Sequence, residues 1–298
     1  MDHLDTLRAF VATAELQGFA AAARRLGVSA PAVTRAIVAL EKRLGVVLLM
    51  RTTRSVRLTD AGERFLQDCR RILADLDEAE AAAAGGQARG WLTVTAPQMF
   101  GRLHMAPLVL DFLKAQPQVQ VRTLFADRVV HLLDEGIDVA LRIAQLPDSG
   151  LTAVPVGALR RVVVGAPAYL AAHGTPQTPQ DLAPHHAIAY AQDGHNPTPW
   201  RFRDGQLGEP RINWVTNSNE VAISAAVAGH GLTRCLIYQA AADLRAGRLR
   251  SVLDEHALPA VPVHLVYPAG RRAPAKVRAF IEFARERLAA EPVLRGEL

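Results

Sequence analysis

Residues 19–57 read FAAAARRLGVSAPAVTRAIVALEKRLGVVLLMRTTRSVR, and this stretch decides the fold of the N-terminal part of the chain. The pattern predicts a short Ala-rich helix over about Phe19–Leu26, followed by a tight turn. A second helix is predicted between Ser29, a favoured N-cap residue, and Gly45, a common residue just past a helix end. Two helices joined by a turn of three or four residues are typical of a unit that places its second helix in the DNA major groove.

Positive charge concentrates in the same region. Eight Arg or Lys residues lie between Arg24 and Arg57, and the single acid there is Glu41, so this window carries a charge of +7 against +5 for the whole chain. A phosphate-binding surface needs such a concentration, because each cation at a phosphate releases condensed counterions. A solvated helix face with scattered Arg is the alternative, but the overlap with the two-helix pattern favours DNA binding.

The apolar spacing indicates which faces of these helices are buried. An opening helix has apolar residues at helical spacing, so the unit has three helices, and one stripe of the third helix is apolar. These two sets are Leu4, Leu7, Phe10, Val11 and Ala14, and Val33, Ile37, Leu40 and Leu44. The first two turns of the third helix, where a recognition helix meets base edges, present Ser29, Ala30, Pro31, Thr34 and Arg35. Arg35 can bind guanine or a phosphate and Thr34 a base edge or a phosphate, whereas Ala30 and Pro31 offer only apolar contact.

The segment after the third helix, VVLLMRTTRSVRLT at residues 46–59, is β-branched, then basic, then β-like again. It predicts a two-stranded wing whose tip is formed by Arg51, Thr52, Thr53 and Arg54. Arginine at such a tip can enter a minor groove or pair with phosphates. An ordinary charged hairpin turn is the alternative.

This N-terminal region resembles the winged helix-turn-helix of the LysR-type transcriptional regulators. The matching residues are Phe10, Val11, Phe19, Ala22, Ala23, Leu26, Ser29, Pro31, Ala32, Val33, Thr34, Arg35, Leu40, Glu41, Leu44, Gly45, Leu48, Arg51, Thr52, Thr53, Arg54, Leu58, Thr59, Ala61 and Gly62. The resemblance implies an N-terminal all-α winged helix-turn-helix with a long linker helix, and a C-terminal α/β effector domain with two lobes of the periplasmic-binding-protein type. Members often carry Gln at the position of Ala30 and Ser at that of Thr34, so no base preference is carried over.

We expect three segments: a DNA-binding domain over 1–59, a linker or dimerisation helix over 60–88, and an effector-binding domain over 89–298. In the last, lobe I spans about 89–160 and 265–298, and lobe II about 161–264. Thr59 and Asp60 start the linker helix, with Glu63 placed for a capping box. Its apolar residues follow the heptad spacing of a two-helix seam, namely Phe65, Cys69, Ile72, Leu76, Ala79 and Ala83. A helix packed on its own domain is the alternative; the resemblance, whose linker helices pair two chains, favours a homodimer or homotetramer.

Strand and helix patterns alternate from Trp91 onward and predict a parallel sheet with helices on its faces. The predicted strands are 91–96, 119–125, 138–143, 159–167, 186–190, 211–218, 232–238 and 261–268. The predicted helices are 101–115, 128–136, 167–174, 220–231, 239–249 and 276–288.

Ligands of open α/β sheets bind beyond the carboxyl ends of the strands, which selects three loops. These contain Pro97, Gln98, Met99 and Phe100, then Asp127, and then Asn217, Ser218 and Asn219. The loop at residues 97–100 leads into a helix N-terminus and is therefore expected to bind an anion. The resemblance adds Gly231 and Thr233 as effector contacts, and implies an organic acid or an aromatic metabolite as the effector. Arg142 is expected to add a positive charge at the cleft. The alternative for each residue is a helix cap or a turn.

Composition and motifs argue against other classes of protein. Cys69 and Cys235 are the only cysteines, so a disulfide framework is not expected and a reducing cytoplasm fits better. We expect no signal peptide, and the sequence has no apolar run of membrane-spanning length. His173, His185, His186 and His195 do not match a metal-ligand spacing, and GxSxG, P-loop and GxGxxG motifs are absent. The sequence therefore predicts neither an enzyme nor a metal or cofactor site. A cytoplasmic small-molecule-binding protein of the solute-binding fold, without specific DNA readout, remains the alternative.

Overall fold

The computed structural model describes residues 2–51, 56–83, 87–268 and 273–297. The chain divides into two compact units, one comprising Met1–Gly90 with Leu133–Gly136 and the other Trp91–Leu132 with Ile137–Leu298. Each unit has its own buried core. None of the helices in the described ranges is both long and apolar enough to cross a membrane.

The described residues of the first unit form four helices and two paired strands. Its elements are α1 (His3–Leu16), α2 (Phe19–Leu26), α3 (Ala30–Leu44), β1 (Leu49–Arg51), β2 (Val56–Leu58) and α4 (Asp60–Ala83). Strands β1 and β2 pair antiparallel, with Met50 opposite Arg57. The predicted helix-turn-helix and the two strands of the wing are confirmed.

Local backbone chemistry sets the ends of α2 and α3. The Ser29 side chain accepts a hydrogen bond from the Ala32 N–H at 3.3 Å, as expected of an N-cap residue. Gly27 ends α2 and Gly45 ends α3, both in the left-handed region with φ of 66° and 68°. Glycine adopts this conformation without the steric cost that other residues incur, so both helices stop where the sequence predicts.

The core of the first unit is built from the apolar stripes of α1 and α3. Phe10, Val33, Ile37 and Leu40 are at most 1% exposed. Leu44, which we assigned to the same stripe, is 41% exposed. It lies in the last turn of α3, beyond the core, so the buried stripe ends one turn earlier than predicted.

The start of α4 differs from the predicted capping box. The Thr59 hydroxyl caps the helix by accepting from the Gly62 N–H at 3.0 Å, and the Thr59 N–H donates to the Leu48 carbonyl. Gly62 therefore occupies the third helical position, and Glu63 lies one residue too far along for a reciprocal bond. A Cβ at Gly62 would stand 2.1 Å from the Leu48 carbonyl oxygen, so the first turn of α4 lies directly against the backbone before β1.

The second unit contains two groups of strands. Its strands are β3 (Gly90–Ala96), β4 (Val119–Phe125), β5 (Val139–Ile143), β6 (Leu151–Leu159), β7 (Arg161–Gly165), β8 (His186–Tyr190), β9 (Trp200–Arg201), β10 (Leu207–Gly208), β11 (Arg211–Thr216), β12 (Thr233–Leu236), β13 (Arg250–Val252) and β14 (Val261–Pro268). Its α-helices are α5 (Gln98–Phe100), α6 (Ala106–Ala115), α7 (Pro167–His173), α8 (Asn219–Val227), α9 (Ile237–Arg245) and α10 (Ala275–Ala289), with a π-helical turn over Gly101–Met105.

The first lobe has a five-stranded sheet in the order β4-β3-β5-β14-β6. The second has a three-stranded sheet, β12-β7-β13, and a parallel pair, β11-β8, joined to β12 near Leu232. Strand β3 is parallel to β5, but β14 is antiparallel to β5 and β6, and β7 is antiparallel to β12 and β13. The sheets are therefore mixed, and the prediction of a parallel sheet was wrong in this respect. Helix α10 packs on α6 of the first lobe, with the Phe112 and Phe280 rings 5.1 Å apart.

Two local predictions failed. The segment 128–136 forms turns rather than a helix, because Val130 and Leu132, two residues apart, are both buried while Val129 and Leu133 are exposed. A helix cannot present residues with that period to one side. Strand β6 was missed because Pro155 interrupts it; it lies at the edge of its sheet, where proline is tolerated.

Candidate DNA interface and effector cleft

One exposed face of α3 collects the residues available to a DNA groove. Pro31, Arg35, Val38 and Lys42 follow each other at helical spacing, and all are exposed. Val38 is 48% exposed. An apolar side chain there can contact a thymine methyl group, as Pro31 can. We did not include Val38 and Lys42 among the predicted contacts, although their spacing from Arg35 indicated them.

The other predicted contacts on α3 have partly structural roles. Ala30 packs against the core of the unit, and the Ser29 hydroxyl is engaged in capping. Thr34 is half-buried beside the exposed face. Arg35 thus has the most freedom to reach a base edge or a phosphate.

The single acid of the basic window connects α3 to the wing. The Glu41 carboxylate accepts hydrogen bonds from the Leu48 N–H at 2.8 Å and from the Leu49 N–H at 3.0 Å. Both amides belong to the chain entering β1, so Glu41 fixes the hairpin to the recognition helix. In the sequence, Glu41 is the exception to the positive charge and one of the positions that match the LysR-type pattern, but neither feature indicates this role.

Replacing Glu41 by Ala is expected to leave two part-buried amides without their acceptor and to destabilise the first unit by about 1–3 kcal/mol. DNA affinity should fall as well, because the wing loses its fixed position. Chemical denaturation and operator titration of Glu41→Ala measure the two effects. Glu41→Gln keeps an acceptor oxygen, so its stability should lie between that of the unaltered protein and that of Glu41→Ala. Equal stability of all three proteins would contradict the role of this carboxylate.

The described residues cover only part of the predicted wing tip. Arg51 is the last residue of β1, whereas Thr52, Thr53 and Arg54 and the side chain of Arg51 lie outside what the structure describes. Arg57 on β2 is exposed.

A partly exposed ion-pair network joins α1, α2 and α4. Glu15 binds Arg25 at 2.9 Å and Arg70 at 3.1 Å. Burial alone would raise the pKa of Glu15, but its hydrogen bonds and ion pairs with the two arginines lower it below the ordinary value. Arg25 thus supports the fold, although it contributes to the basic window.

In the second unit, the loops after β3 and β4 are joined by a direct hydrogen bond. The Gln98 N–H donates to the Asp127 carboxylate at 2.9 Å, at the N-terminus of α5. The amide that we expected to receive an effector anion is therefore occupied by the chain's own carboxylate. Pro97 and Met99 are half-buried beside it, and Gln98 is exposed.

An aromatic cluster lies directly behind this loop. Phe100 is fully buried, with its ring centroid 4.8 Å from that of His104 and 5.2 Å from that of Tyr238 on α9. Phe100 is therefore a core residue rather than an exposed effector contact. Burial raises the pKa of Tyr238, and the charge of Asp127 raises it further; the same two causes, in the same order, raise the pKa of Tyr190. Asp127 thus lies near two phenols that the sequence analysis did not select.

The predicted effector contacts of the second lobe also include both accessible residues and residues engaged in internal contacts. Ser218 caps α8 by accepting from the Val221 N–H at 3.4 Å, beside exposed Asn217 and half-buried Asn219. Thr233 is 1% exposed and donates its hydroxyl to the Ile188 carbonyl at 2.8 Å. Gly231 is required by packing, because a Cβ there would stand 2.5 Å from the His186 carbonyl oxygen.

Two arginines tie elements of the second unit together. Arg142 donates to the Val130 carbonyl at 2.7 Å and so holds the irregular segment after β4. Arg102, in the π-helical turn of the first lobe, forms an ion pair with Glu220 in the first turn of α8. This pair links the two lobes beside the loops at 97–100 and 217–219. Neither member was predicted, since π-helical turns have no clear sequence signal.

Comparison with known families covers both units. The model described as "Bacterial regulatory helix-turn-helix protein, lysR family" matches residues 4–63, and the model described as "LysR substrate binding domain" matches residues 85–289. The chain belongs to the LysR family of transcriptional regulators. It is a transcriptional regulator with a DNA-binding helix-turn-helix domain and an effector-binding domain.

Individual LysR-type regulators resemble the chain over nearly its whole length. The transcriptional regulator PtxR of Pseudomonas aeruginosa is 35% identical, over 97% of this chain and 94% of its own. DmlR of Escherichia coli is 33% identical, over 95% and 94%. The structure of CrgA from Neisseria meningitidis superposes with a TM-score of 0.62 at 29% identity, covering 97% of this chain and 99% of CrgA. Full-length CbnR in complex with its target DNA gives a TM-score of 0.56 at 26% identity, over 96% and 99%.

Helix α4 of this LysR-type regulator changes from buried to exposed along the predicted seam. Cys69 is fully buried in the core of the first unit, where burial, together with the charge of Asp68, raises its thiol pKa to about 12. Phe65 packs on the same core, with its ring 5.5 Å from that of Phe10. Ile72 is 45% exposed and Leu76 is half-buried. Of the predicted seam, Phe65 and Cys69 thus pack in the core of their own unit, whereas Ile72 is exposed and Leu76 is partly exposed.

Two of the histidines, His173 and His185, pack against Tyr169 in the second lobe. Within the described ranges, no three His, Cys, Asp or Glu side chains lie close enough to hold a metal ion. His185 is buried beside Tyr169, whose hydroxyl lies 3.3 Å from His185 Nδ1, and His173 stacks on the same ring at 4.3 Å.

Acidification is expected to destabilise the second lobe. Burial lowers the pKa of His185, and the neighbouring His173 lowers it further against an opposing effect of Asp181. The folded form therefore binds fewer protons than the unfolded form, so this contribution to stability is complete above about pH 6.5 and is lost as the pH falls below it. Urea unfolding at pH 7.5 and pH 5.5 measures the change. His185→Gln should show a smaller difference between the two pH values, and an identical difference would exclude His185 as the cause.

Proposed function

We propose that this LysR-type regulator reads its operator with the exposed face of α3 and with the adjoining hairpin. The proposed contacts are Ser29, Ala30, Pro31, Thr34 and Arg35 in a major groove, and Arg51, Thr52, Thr53 and Arg54 beside it. The observation that carries the proposal is the coincidence of an exposed helix face at Pro31, Arg35, Val38 and Lys42 with a window of charge +7. The protein acts in the cytoplasm and without catalysis of its own.

The regulator acts as a homodimer or a homotetramer assembled in part through α4, with Ile72 and Leu76 in the seam. Two linked helix-turn-helix units that bind two half-sites have a much higher combined affinity for DNA than one unit has alone. The exposure of Ile72 supports this assignment, and Cys69 and Phe65 are left to the domain core.

Replacing Ile72 by Asp is expected to weaken self-association at least tenfold, because a charge would have to be desolvated in the seam. Sedimentation velocity over a range of protein concentrations measures this effect. Arg64→Asp, on an exposed position of the same helix, is the matched control. If both variants associate like the unaltered protein, the seam lies elsewhere.

A small molecule, an organic acid or an aromatic metabolite, binds between the two lobes of the second unit and changes DNA binding. The exposed or half-buried residues Gln98, Met99, Asp127, Asn217 and Asn219 would contact it, while Phe100, Arg142, Ser218, Gly231 and Thr233 position them through the contacts described above. The effect of the small molecule on DNA binding cannot exceed the difference between its affinities for the two arrangements of the lobes.

Titration of the purified protein with the DNA upstream of its own gene, at two salt concentrations, tests the proposal. Saturable binding that outcompetes unrelated DNA and weakens with salt is the expected result. Addition of candidate organic acids to the same assay should shift the affinity for at least one of them. Binding without preference over unrelated DNA, both there and in genome-wide site selection, would favour a small-molecule-binding protein without specific readout.

A further inference from the structure

Three arginines surround a small cavity in the second lobe, and none of them belongs to the predicted effector set. The cavity is lined by Arg161 on β7, Arg201 on β9 and Arg234 on β12, and by apolar residues that include Phe202, Val252 and Leu258. Its free volume of about 10 Å³ leaves room for one small polar group.

The register of the three-stranded sheet explains why two of these arginines meet. Arg234 lies opposite Val163, and Arg161 lies opposite Leu236, so the two arginines stand diagonally on the same face. Long side chains in this arrangement reach each other. Val252 of β13 also lies opposite Val163 and completes the apolar floor.

The guanidinium of Arg234 is held in place but keeps unused donors. It lies 5.8 Å from the centre of the Trp200 ring and donates one hydrogen bond, to the Pro199 carbonyl at 3.1 Å. A guanidinium has five N–H donors, so the remaining ones are available to a ligand. Burial and the charge of Arg161 lower the pKa of Arg234 to about 10.

No ion pair in the described part of the chain neutralises this cluster. No Asp or Glu of the described residues lies within ion-pair distance of Arg161, Arg201 or Arg234. Asp254 is the one acid that lines the cavity, and it accepts a hydrogen bond from the Ser251 hydroxyl. Three positive charges against one negative charge leave the site electropositive, and partly desolvated cations without counterions are costly unless an anion binds.

We propose that Arg161, Arg201 and Arg234 form a binding site for a small phosphate anion, either inorganic phosphate or the phosphate group of an organic ester. One phosphate oxygen enters the cavity, and the rest of the anion stays at its mouth, where Arg161 and Arg201 are exposed. A doubly charged oxyanion with several acceptors matches several guanidinium forks better than a single carboxylate does. The apolar wall at Phe202 and Leu258 would contact the organic part of an ester.

Calorimetric titration of the full-length protein with inorganic phosphate and with phenyl phosphate, at constant ionic strength, tests the site. Saturable binding of at least one of the two compounds is expected. Tighter binding of inorganic phosphate indicates free phosphate as the ligand, and tighter binding of phenyl phosphate indicates a phosphate ester. Arg234→Gln and Arg161→Gln should each weaken this binding about tenfold through loss of a charge-assisted hydrogen bond. If Arg234→Gln does not fold, Arg161→Gln alone tests the site. Arg161 is exposed, so its replacement should not disturb the fold.

Two control variants separate this site from other positive surfaces. Arg203→Gln removes an exposed arginine of the same lobe that does not line the cavity, and Arg35→Ala removes one from the DNA-binding helix. Both should bind phosphate like the unaltered protein. No saturable binding, or equal binding by the cavity variants and the controls, would overturn the proposal.

Discussion

Replacing Arg35 by Ala is expected to reduce affinity for the operator by about 30-fold or more while leaving the fold intact. A bidentate contact to a base contributes roughly 1–3 kcal/mol, and a dimer on two half-sites would lose it twice. Arg35 is exposed and lies opposite the buried stripe at Val33, Ile37 and Leu40, so its removal opens no cavity. Operator titration and thermal unfolding of the same preparation measure both quantities.

Arg203→Ala is the matched control for Arg35→Ala, since it removes the same charge from an exposed position in the other unit. Its operator affinity should change less than threefold. A second comparison, with unrelated DNA, separates the two roles of Arg35. Loss confined to the operator indicates a base contact, whereas equal loss on all DNA indicates a phosphate contact. Unchanged operator affinity would remove Arg35 from the interface.

Replacing Gly62 by Ala is expected to destabilise the first unit by about 3 kcal/mol or more and to abolish operator binding. The added Cβ would stand 2.1 Å from the Leu48 carbonyl oxygen and 3.1 Å from the Leu58 side chain. The carbonyl belongs to the backbone, which is fixed by hydrogen bonds from Thr59, so it cannot move aside as a flexible side chain can. Helix α4 would have to shift away from the hairpin.

The distribution of tryptophan makes the Gly62 experiment selective. Trp91, Trp200 and Trp214 are the three tryptophans of the chain, and all lie in the second unit. For Gly62→Ala, the urea unfolding curve measured by tryptophan fluorescence should therefore match that of the unaltered protein. The helical circular dichroism signal of the variant should instead begin to fall at a lower urea concentration. Gly150→Ala, where the new methyl meets nothing within 4 Å, is the control. A Gly62→Ala protein that unfolds like this control would contradict the close packing of α4 on Leu48.

The N-terminal fold could be predicted because its signals are local. Ser29, Gly27 and Gly45 mark helix ends through their own backbone preferences, and the apolar stripe of α3 needs no distant partner to be recognised. The heptad pattern of α4 is a different case. Apolar spacing shows that one face is buried but not by what, and Cys69 is buried by its own domain.

The candidate sites were predicted less completely than the fold. The positions of Gln98 and Asp127 after successive strands were visible in the sequence, but the hydrogen bond that joins them depends on sheet order. Tyr190, Tyr238 and the pair of Arg102 and Glu220 come from distant segments with no shared motif. Strand β6 was missed because Pro155 and Gly157 read as loop residues, and its partner β14 lies about a hundred residues further along the chain.

The two hydrogen bonds from the start of β1 to the Glu41 carboxylate affect which operators the protein can bind. Because α3 and the start of β1 are joined at this point, the proposed readout has one fixed distance between its base contacts and its backbone contacts within each half-site. One inserted base pair, about 3.4 Å of duplex per step, cannot be absorbed inside the half-site. In the proposed readout, tolerance to variation among promoters must therefore come from the gap between half-sites, which is set by how the two chains of the proposed dimer are joined.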